Sequence, residues 1–251
     1  TIAISLAVAV SLLILKHLKS QKLKGKRREP EKKQPPKTFN SYGQIFLMPL
    51  ISKEEITINI RIFRFELPSP DHILDLPVEK HVELSAAING QLVTRSYTPI
   101  ISNDDKGCVE LMVKIFRSNT KFSCGGQMSQ HLDALKIGDK MTFKGPCGKS
   151  MYIGDGRSSS ENVSEVRQCR KVNMLAVDGG ICPMLRIIKA ILSDPNDKTE
   201  IRLAYISSSN IMLKNDLDEL ALKHPDQFTI SYVGTNLFLP SDDTVTLACP
   251  V

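Results

Sequence analysis

Arg95-Ser96-Tyr97-Thr98-Pro99 and, further along, Gly125-Gly126-Gln127-Met128-Ser129-Gln130 are the stretches that decide how this chain is read. Side-chain direction in a strand repeats every two residues, so Arg95 and Tyr97 point to one side. A cation and a flat aromatic ring then face one ligand. The Gly-Gly pair, followed by Ser129 and an apolar-periodic run, reads as a helix start whose N–H groups favour phosphate. Each motif alone has an ordinary reading: Arg-x-Tyr is commonly a cross-strand surface pair, and Gly-Gly commonly a turn. Together, in this order, they suit a ligand that carries both a pyrophosphate and an aromatic ring system.

The sequence around them, residues 40–150, reads as strands. Ile56 to Ile60 alternates, and Arg61 to Phe65 continues a β-rich run. His81 to Ala86 is another, followed by Asn89-Gly90, a two-residue hairpin signal. Leu92 to Tyr97, Val109 to Phe116 and Lys140 to Phe143 complete the set, and only Met128 to Leu135 has helical spacing. Many short strands with one helix imply a closed antiparallel β-barrel. Beyond residue 170 the pattern changes. Val172–Val177, Ile201–Ile206 and Phe228–Val233 read as strands, and helical stretches at Met184–Leu192 and Asn215–Lys223 lie between them. Strand alternating with helix implies a parallel sheet with crossover helices, binding a nucleotide at the carboxyl ends of its strands.

The chain has 251 residues and a formal net charge of +6, with 41% apolar and 24% charged residues, ordinary values for a globular protein. The charge is local. Residues 1–37 hold ten Lys and Arg against Glu29 and Glu31, a balance of +8, which leaves the remainder at −2. A nucleic-acid binder spreads its basic residues over a folded face, so no nucleic-acid partner is expected. Ile2 to Leu15 is apolar apart from Ser5 and Ser11, and Lys16, Lys19, Lys22, Lys24 and Lys26-Arg27-Arg28 follow it at once. The positive-inside rule keeps that basic side cytosolic. The expectation is an amino-terminal membrane anchor helix (1–18) and a flexible basic tether (19–39) that reaches anionic headgroups. The membrane is the endoplasmic reticulum or the mitochondrial outer membrane. The six cysteines form no Cys-x-x-Cys pair and histidine is scarce, so neither a metal site nor a redox dithiol is expected. No nucleophile–base arrangement emerges that would assign a catalytic side chain.

The chain resembles the NADH-cytochrome b5 reductase branch of the ferredoxin-reductase-like flavoproteins. The resemblance rests on Arg95-x-Tyr97-Thr98-Pro99, Gly125-Gly126-x-Met128-Ser129-Gln130, Phe65-Glu66-Leu67-Pro68-Ser69-Pro70-Asp71-His72 and Leu76-Pro77-Val78. It implies a six-stranded FAD-binding barrel with one helix over the pyrophosphate (40–150), a loop-rich linker (151–170, matched by Gly154 to Arg170), then an incomplete NADH-binding α/β domain (171–251). It implies FAD as cofactor, NADH as electron donor, cytochrome b5 as acceptor and a monomer. By resemblance Arg95 pairs with the FAD phosphates, Tyr97 lies against the isoalloxazine and Thr98 bonds at its edge. Met112 and Lys114 contact the flavin and its ribityl-phosphate side. Gly126, Gln127, Met128 and Ser129 meet the pyrophosphate and adenine side through backbone N–H groups. Exposed lysines such as Lys114 or Lys121 would dock the acidic haem protein.

The chain also departs from the family pattern. Ser96 stands where the family has Pro, and Gln127 where it has Lys. After the first parallel strand the family has Gly-Gly-Thr-Gly-Ile-Thr-Pro-Met; here the stretch is Val177-Asp178-Gly179-Gly180-Ile181-Cys182-Pro183-Met184. Gly179 replaces the Thr that contacts the flavin in the family, and by resemblance Gly179, Gly180, Cys182 and Pro183 stand at cofactor-binding positions. Val177 takes a position where Gly leaves room, and Asp178 puts a carboxylate near the incoming pyrophosphate. The segment after Val233 is shorter than the family's, and the last residues, Leu247 to Val251, do not match its ending. These departures open an alternative: a catalytically impaired or inactive membrane-tethered member that keeps at most FAD.

Overall fold

A computed structural model describes residues 34–102, 105–118, 123–161, 163–207 and 211–234. The expected anchor, most of the tether, Lys121 and the carboxyl-terminal residues lie outside them. Among the described residues no helix is long and apolar enough to cross a membrane.

The first lobe is a six-stranded antiparallel sheet in the order β4-β3-β6-β1-β2-β5. Its strands are β1 (Gln44–Thr57), β2 (Ile60–Glu66), β3 (His81–Ile88), β4 (Gln91–Tyr97), β5 (Cys108–Lys114) and β6 (Lys140–Cys147). The sheet curls around one core. Alternation places Met48 and Leu50, Phe63 and Phe65, Val82 and Leu84, Val109 and Leu111, and Met141 and Phe143 inside it. The Phe65 and Phe143 rings meet edge to face at 5.0 Å. Helix α1 (Gln127–Ala134) adds Met128 and Leu132 to this core.

Two expectations change here. Among the described residues the barrel does not close through a strand ladder: β4 and β5 are both edges. Pro99 ends β4 without an N–H to donate, and the Ile100 N–H to Glu110 carbonyl bond (3.0 Å) spans the gap just beyond it. The last part of the expected tether is also fixed. Thr38 and Phe39 donate to the carbonyls of Ile73 and Leu74, and Phe39 is buried edge-on to Phe46. A Cβ on Gly145 would lie 2.9 Å from the Phe39 ring, so Gly145 makes room for this docking.

The expected hairpin at Asn89-Gly90 is present, with φ of 52° and 77° and Ile88 paired with Gln91. The apolar run from Ile56 to Phe65 is not one strand. It breaks at Ile58-Asn59, where β1 turns into β2 with Thr57 paired to Ile60.

The second lobe is a parallel sheet, β10-β11-β12, of Lys171–Val177, Glu200–Ser207 and Phe228–Gly234. Helix α2 (Ile181–Ser193) joins the first pair and α3 (Lys214–Lys223) the second. Met174, Leu203 and Ile230 lie in register across the sheet, as do Ala176, Tyr205 and Tyr232. These rows pack with Leu185, Ile188 and Ile191 of α2 and Leu217 of α3. Ile60, Ile100 and Met112 of the first lobe join this second core.

Residues expected as a loop-rich linker form a small antiparallel sheet, β7 (Ser150–Gly154), β8 (Arg157–Ser160) and β9 (Val163–Gln168). Its first turn is Asp155-Gly156 with φ of 54° and 65°, the same two-residue type as Asn89-Gly90. This sheet is fastened to the second lobe through Asp197, which is 1% exposed. Asp197 accepts from the Tyr152 hydroxyl, from the Asp155 N–H (3.0 Å) and from the Thr199 N–H (3.0 Å) and hydroxyl (2.6 Å).

Candidate functional site

Arg95 and Tyr97 stand on the inner face of β4, opposite the buried Leu84 and Val82 of β3. Because β4 is an edge, that face opens outward beside α1, which lies against β3 and β4. Arg95 is exposed and donates to the neighbouring Thr94 carbonyl at 2.8 Å. Tyr97 is half-buried against the first core, and burial pushes its phenol up to about 12 despite the nearby Arg95 charge. Ser96 is exposed on the other face and pairs in register with Glu83. Thr98 follows, half-buried.

The start of α1 is built by close approach. Gly126 donates to the Phe116 carbonyl at 2.8 Å, and the Phe116 N–H donates to Ser129 Oγ at 3.1 Å. Ser129 Oγ in turn donates to the Gly126 carbonyl at 3.0 Å. Gly125 sits at φ 59°, and a Cβ there would lie 2.5 Å from Gln130 Nε2 and 2.6 Å from the Phe116 oxygen. Among the described residues no side chain caps the helix, so its first N–H groups have no side-chain acceptor there. Gln127 is exposed, while the side chains of Met128 and Ser129 are buried. Any ligand contact from those two is through backbone.

The second nucleotide element follows β10. Asp178, Gly179 and Gly180 form a 3₁₀ turn leading directly into α2. Asp178 has φ 45°, a left-handed conformation that favours glycine. Among the described residues a Cβ on Gly179 or Gly180 would meet nothing within 4 Å, so they leave room over both. Val177 is 54% exposed and closes nothing off. Pro183 is half-buried in the first turn of α2. Cys182 is 4% exposed in the core, and burial pushes its thiol up to about 12. Its side chain faces packing atoms, which limits any part in nucleotide binding to its backbone.

Lys114 is placed differently from the sequence reading. Its side chain is only 9% exposed and its Nζ pairs with Asp178 Oδ1 at 2.8 Å. It is no exposed docking lysine, because the carboxyl end of β5 faces the second lobe rather than solvent. Met112, two residues earlier on the same side, packs into the second core. Asp178 Oδ1 also accepts from Ser207 Oγ at 3.2 Å, and the Asp178 carbonyl accepts from the Tyr205 hydroxyl at 3.1 Å. The carboxylate that motif comparison sets against an incoming pyrophosphate is therefore already matched to a cation. Neither Ser207 nor this pairing was legible in the motifs. The available signal was position: Asp178 and Ser207 both sit at the carboxyl ends of parallel strands, where such sheets bind ligands.

Arg186 of α2 was also missed. It is buried and donates to the Leu76 carbonyl in the first lobe, and desolvation lowers it to about 10. It carries a charge across the seam between the lobes.

The first lobe thus offers an aromatic ring and a guanidinium on an open sheet edge beside a helix start, the second offers a glycine turn at the ends of a parallel sheet, and Lys114 and Asp178 join the two. These are the features of a two-lobed oxidoreductase that binds a flavin on one lobe and a nicotinamide nucleotide on the other. The chain matches the family model for an oxidoreductase FAD-binding domain over residues 47–152 and that for an oxidoreductase NAD-binding domain over 174–244. It is 38% identical to NADH-cytochrome b5 reductase 2 of Xenopus tropicalis, over 97% of this chain and 86% of the relative. It is 40% identical to the human protein of that name, over 84% of this chain and 77% of the relative. Among solved structures, the cytochrome b5 reductase domain of Ulva prolifera nitrate reductase superposes with a TM-score of 0.70 at 36% identity. That match covers 75% of this chain and 72% of the other. The chain belongs to the NADH-cytochrome b5 reductase family.

Proposed function

We propose that this chain is an FAD-dependent oxidoreductase that takes electrons from NADH and delivers them to cytochrome b5. The observation that carries the reading is the contact between the lobes, where Lys114 of the first meets Asp178 in the glycine turn of the second. Bound FAD supplies the chemistry, accepting an electron pair and releasing electrons singly. The protein's residues bind and orient. Arg95, with its fork of donors, suits the FAD phosphates. The first N–H groups of α1, from Gln127 to Ser129, suit the pyrophosphate, with Gly126 setting the entry to the helix. Tyr97 offers its ring to the isoalloxazine, with Thr98 at the edge and Met112 beneath the seam. Gly179 and Gly180 leave the room a dinucleotide backbone needs, and Pro183 fixes the entry to α2. No side chain is required as nucleophile or general base.

The anchor and location belong to the same proposal. The apolar run Ile2–Leu15 and the basic cluster after it support an amino-terminal anchor with the catalytic lobes, as a monomer, facing the cytosol. The membrane would be that of the endoplasmic reticulum or the outer mitochondrial membrane.

The test is direct. The purified full chain is examined for flavin absorbance, then NADH is added without oxygen. Bleaching of the flavin bands, followed by reduction of added cytochrome b5, is the expected result; a bound flavin that NADH leaves unbleached refutes it. One observation favours a second reading, an impaired member that keeps only FAD: Asp178 puts a negative charge beside the glycine turn. Flavin retention without NADH bleaching would be its signature.

A further inference from the structure

We propose that Asp178 sets the affinity for the nicotinamide nucleotide by holding Lys114 away from it, so that an incoming diphosphate must compete with a built-in carboxylate. This rests on the NADH reading above and deepens it. Lys114 Nζ is paired at 2.8 Å, and its side chain is 9% exposed. It reaches the carboxyl end of β10 from the other lobe, beside the open space over Gly179 and Gly180. An anion laid over those glycines meets Lys114 and Asp178 together, one attracting and one repelling.

Asp178 is an unlikely choice for backbone reasons alone. Its φ of 45° suits glycine better than aspartate. Its carboxylate is oriented on both sides, by Lys114 and by Ser207 Oγ at 3.2 Å, so it is held in place rather than waving in solvent. Two anions near one partly buried cation repel each other. Removing the resident one takes away the carboxylate that repels the diphosphate and competes with it for Lys114. The alternative is a plain staple between lobes, in which case removing the carboxylate loosens that contact and weakens nucleotide binding.

The two differ in sign. The full chain loaded with FAD is titrated with ADP-ribose, a redox-inert diphosphate probe, and assayed with NADH. For Asp178→Asn the expected result is about a tenfold lower Kd for ADP-ribose, equivalent to about 1.4 kcal/mol. The KM for NADH falls in parallel and kcat stays within about twofold. Because Lys114 then engages the ligand, Kd rises more steeply with salt than in the wild type. In a Lys114→Met background the same substitution gives no gain. Asp178→Gly, which relieves the backbone, moves Kd in the same direction and covers the case in which the Asn variant folds poorly. Unchanged or weaker ADP-ribose binding in both variants overturns the proposal, as does a gain that persists without Lys114. If NADH bleaches the wild-type flavin but the variants gain nothing, the Asp178 proposal alone falls. If no form binds ADP-ribose or is bleached by NADH, the NADH reading falls with it.

Discussion

Replacing Gly125 by Ala tests whether the start of α1 is a binding element or only a turn. The added Cβ would lie 2.5 Å from Gln130 Nε2, 2.6 Å from the Phe116 oxygen and 2.8 Å from the Ser118 nitrogen. The Gln130 amide is the end of a flexible side chain and can move. The other two atoms are backbone and cannot without taking Phe116 along. Phe116 is pinned at both polar atoms, by Gly126 N–H and by Ser129 Oγ. A left-handed alanine adds roughly 1–2 kcal/mol of its own. Opening the Gly126–Phe116 bond adds about 1 kcal/mol more. The sum, roughly 2–3 kcal/mol, is within the stability of an ordinary domain, so the chain still folds. It relaxes by shifting the helix start. If FAD needs that start unshifted, its dissociation constant rises by roughly thirty- to a hundredfold, since about 1.4 kcal/mol is a factor of ten. The assay is flavin fluorescence released on dilution of the loaded full chain, beside a urea titration. Retention of FAD within threefold of wild type, with the urea midpoint lowered as reckoned, would refute the reasoning.

Three further outcomes are expected. Arg95→Ala weakens FAD retention by about tenfold or more, the contribution of a charge-assisted contact, with little change in the thermal midpoint because Arg95 is exposed; isothermal titration of FAD into the apoprotein checks it. Asp197→Ala leaves the Tyr152 hydroxyl and the Asp155 and Thr199 N–H groups without their acceptor and destabilises by about 3 kcal/mol or more in urea. Burial alone would raise Asp197, but bonds from Thr199, Tyr152 and the backbone outweigh it and hold it low. Its stabilisation is therefore present above about pH 4 and disappears as pH falls through the depressed folded value, a dependence the variant lacks. Glu79→Gly stabilises: Glu79 has φ 71°, and its buried Oε2 has no hydrogen-bond partner among the described residues. Burial raises its carboxyl against the opposing Ser158 bond and Lys80 charge. The penalty of ionising it is absent in acid and develops as pH rises through the folded value. The gain, about 1 kcal/mol in thermal melts at neutral pH, therefore shrinks toward pH 4.

What could be read from the residues was whatever local chemistry decides. Asn89-Gly90 declared its hairpin because left-handed φ at two successive positions needs such residues. The β/α alternation after residue 170 declared a parallel sheet because apolar spacing switches period there. The remainder depended on contacts across the fold. The turn at Ile58-Asn59 carries no positive φ, so an apolar run passed through it unmarked. The strands after Gly154 are polar and short, though Asp155-Gly156 carried the same hairpin signal as Asn89-Gly90. Phe39 looked like part of a tether because the groups that fix it, the Leu74 carbonyl and the bare face of Gly145, come from far along the chain. In the site, Arg95, Tyr97 and the glycines were legible as motifs. Lys114 was not: its burial is decided by which lobe faces the end of β5. Cys182 fits the nucleotide motif by position, yet the helical phase of α2 turns its side chain into the core.

The Tyr152–Asp197 fastening bears on how electrons travel. With β7–β9 bolted to the second lobe, Lys80 tied to Gly148 and Glu161, and Arg186 reaching Leu76, the segment joining the halves is a brace and not a hinge. A braced frame fixes the gap that donor and carrier must cross. Turnover then depends on the arrival and departure of small molecules and protein partners, and hardly on the friction of two lobes swinging through solvent. In viscous medium such an enzyme slows only as its reactants diffuse more slowly.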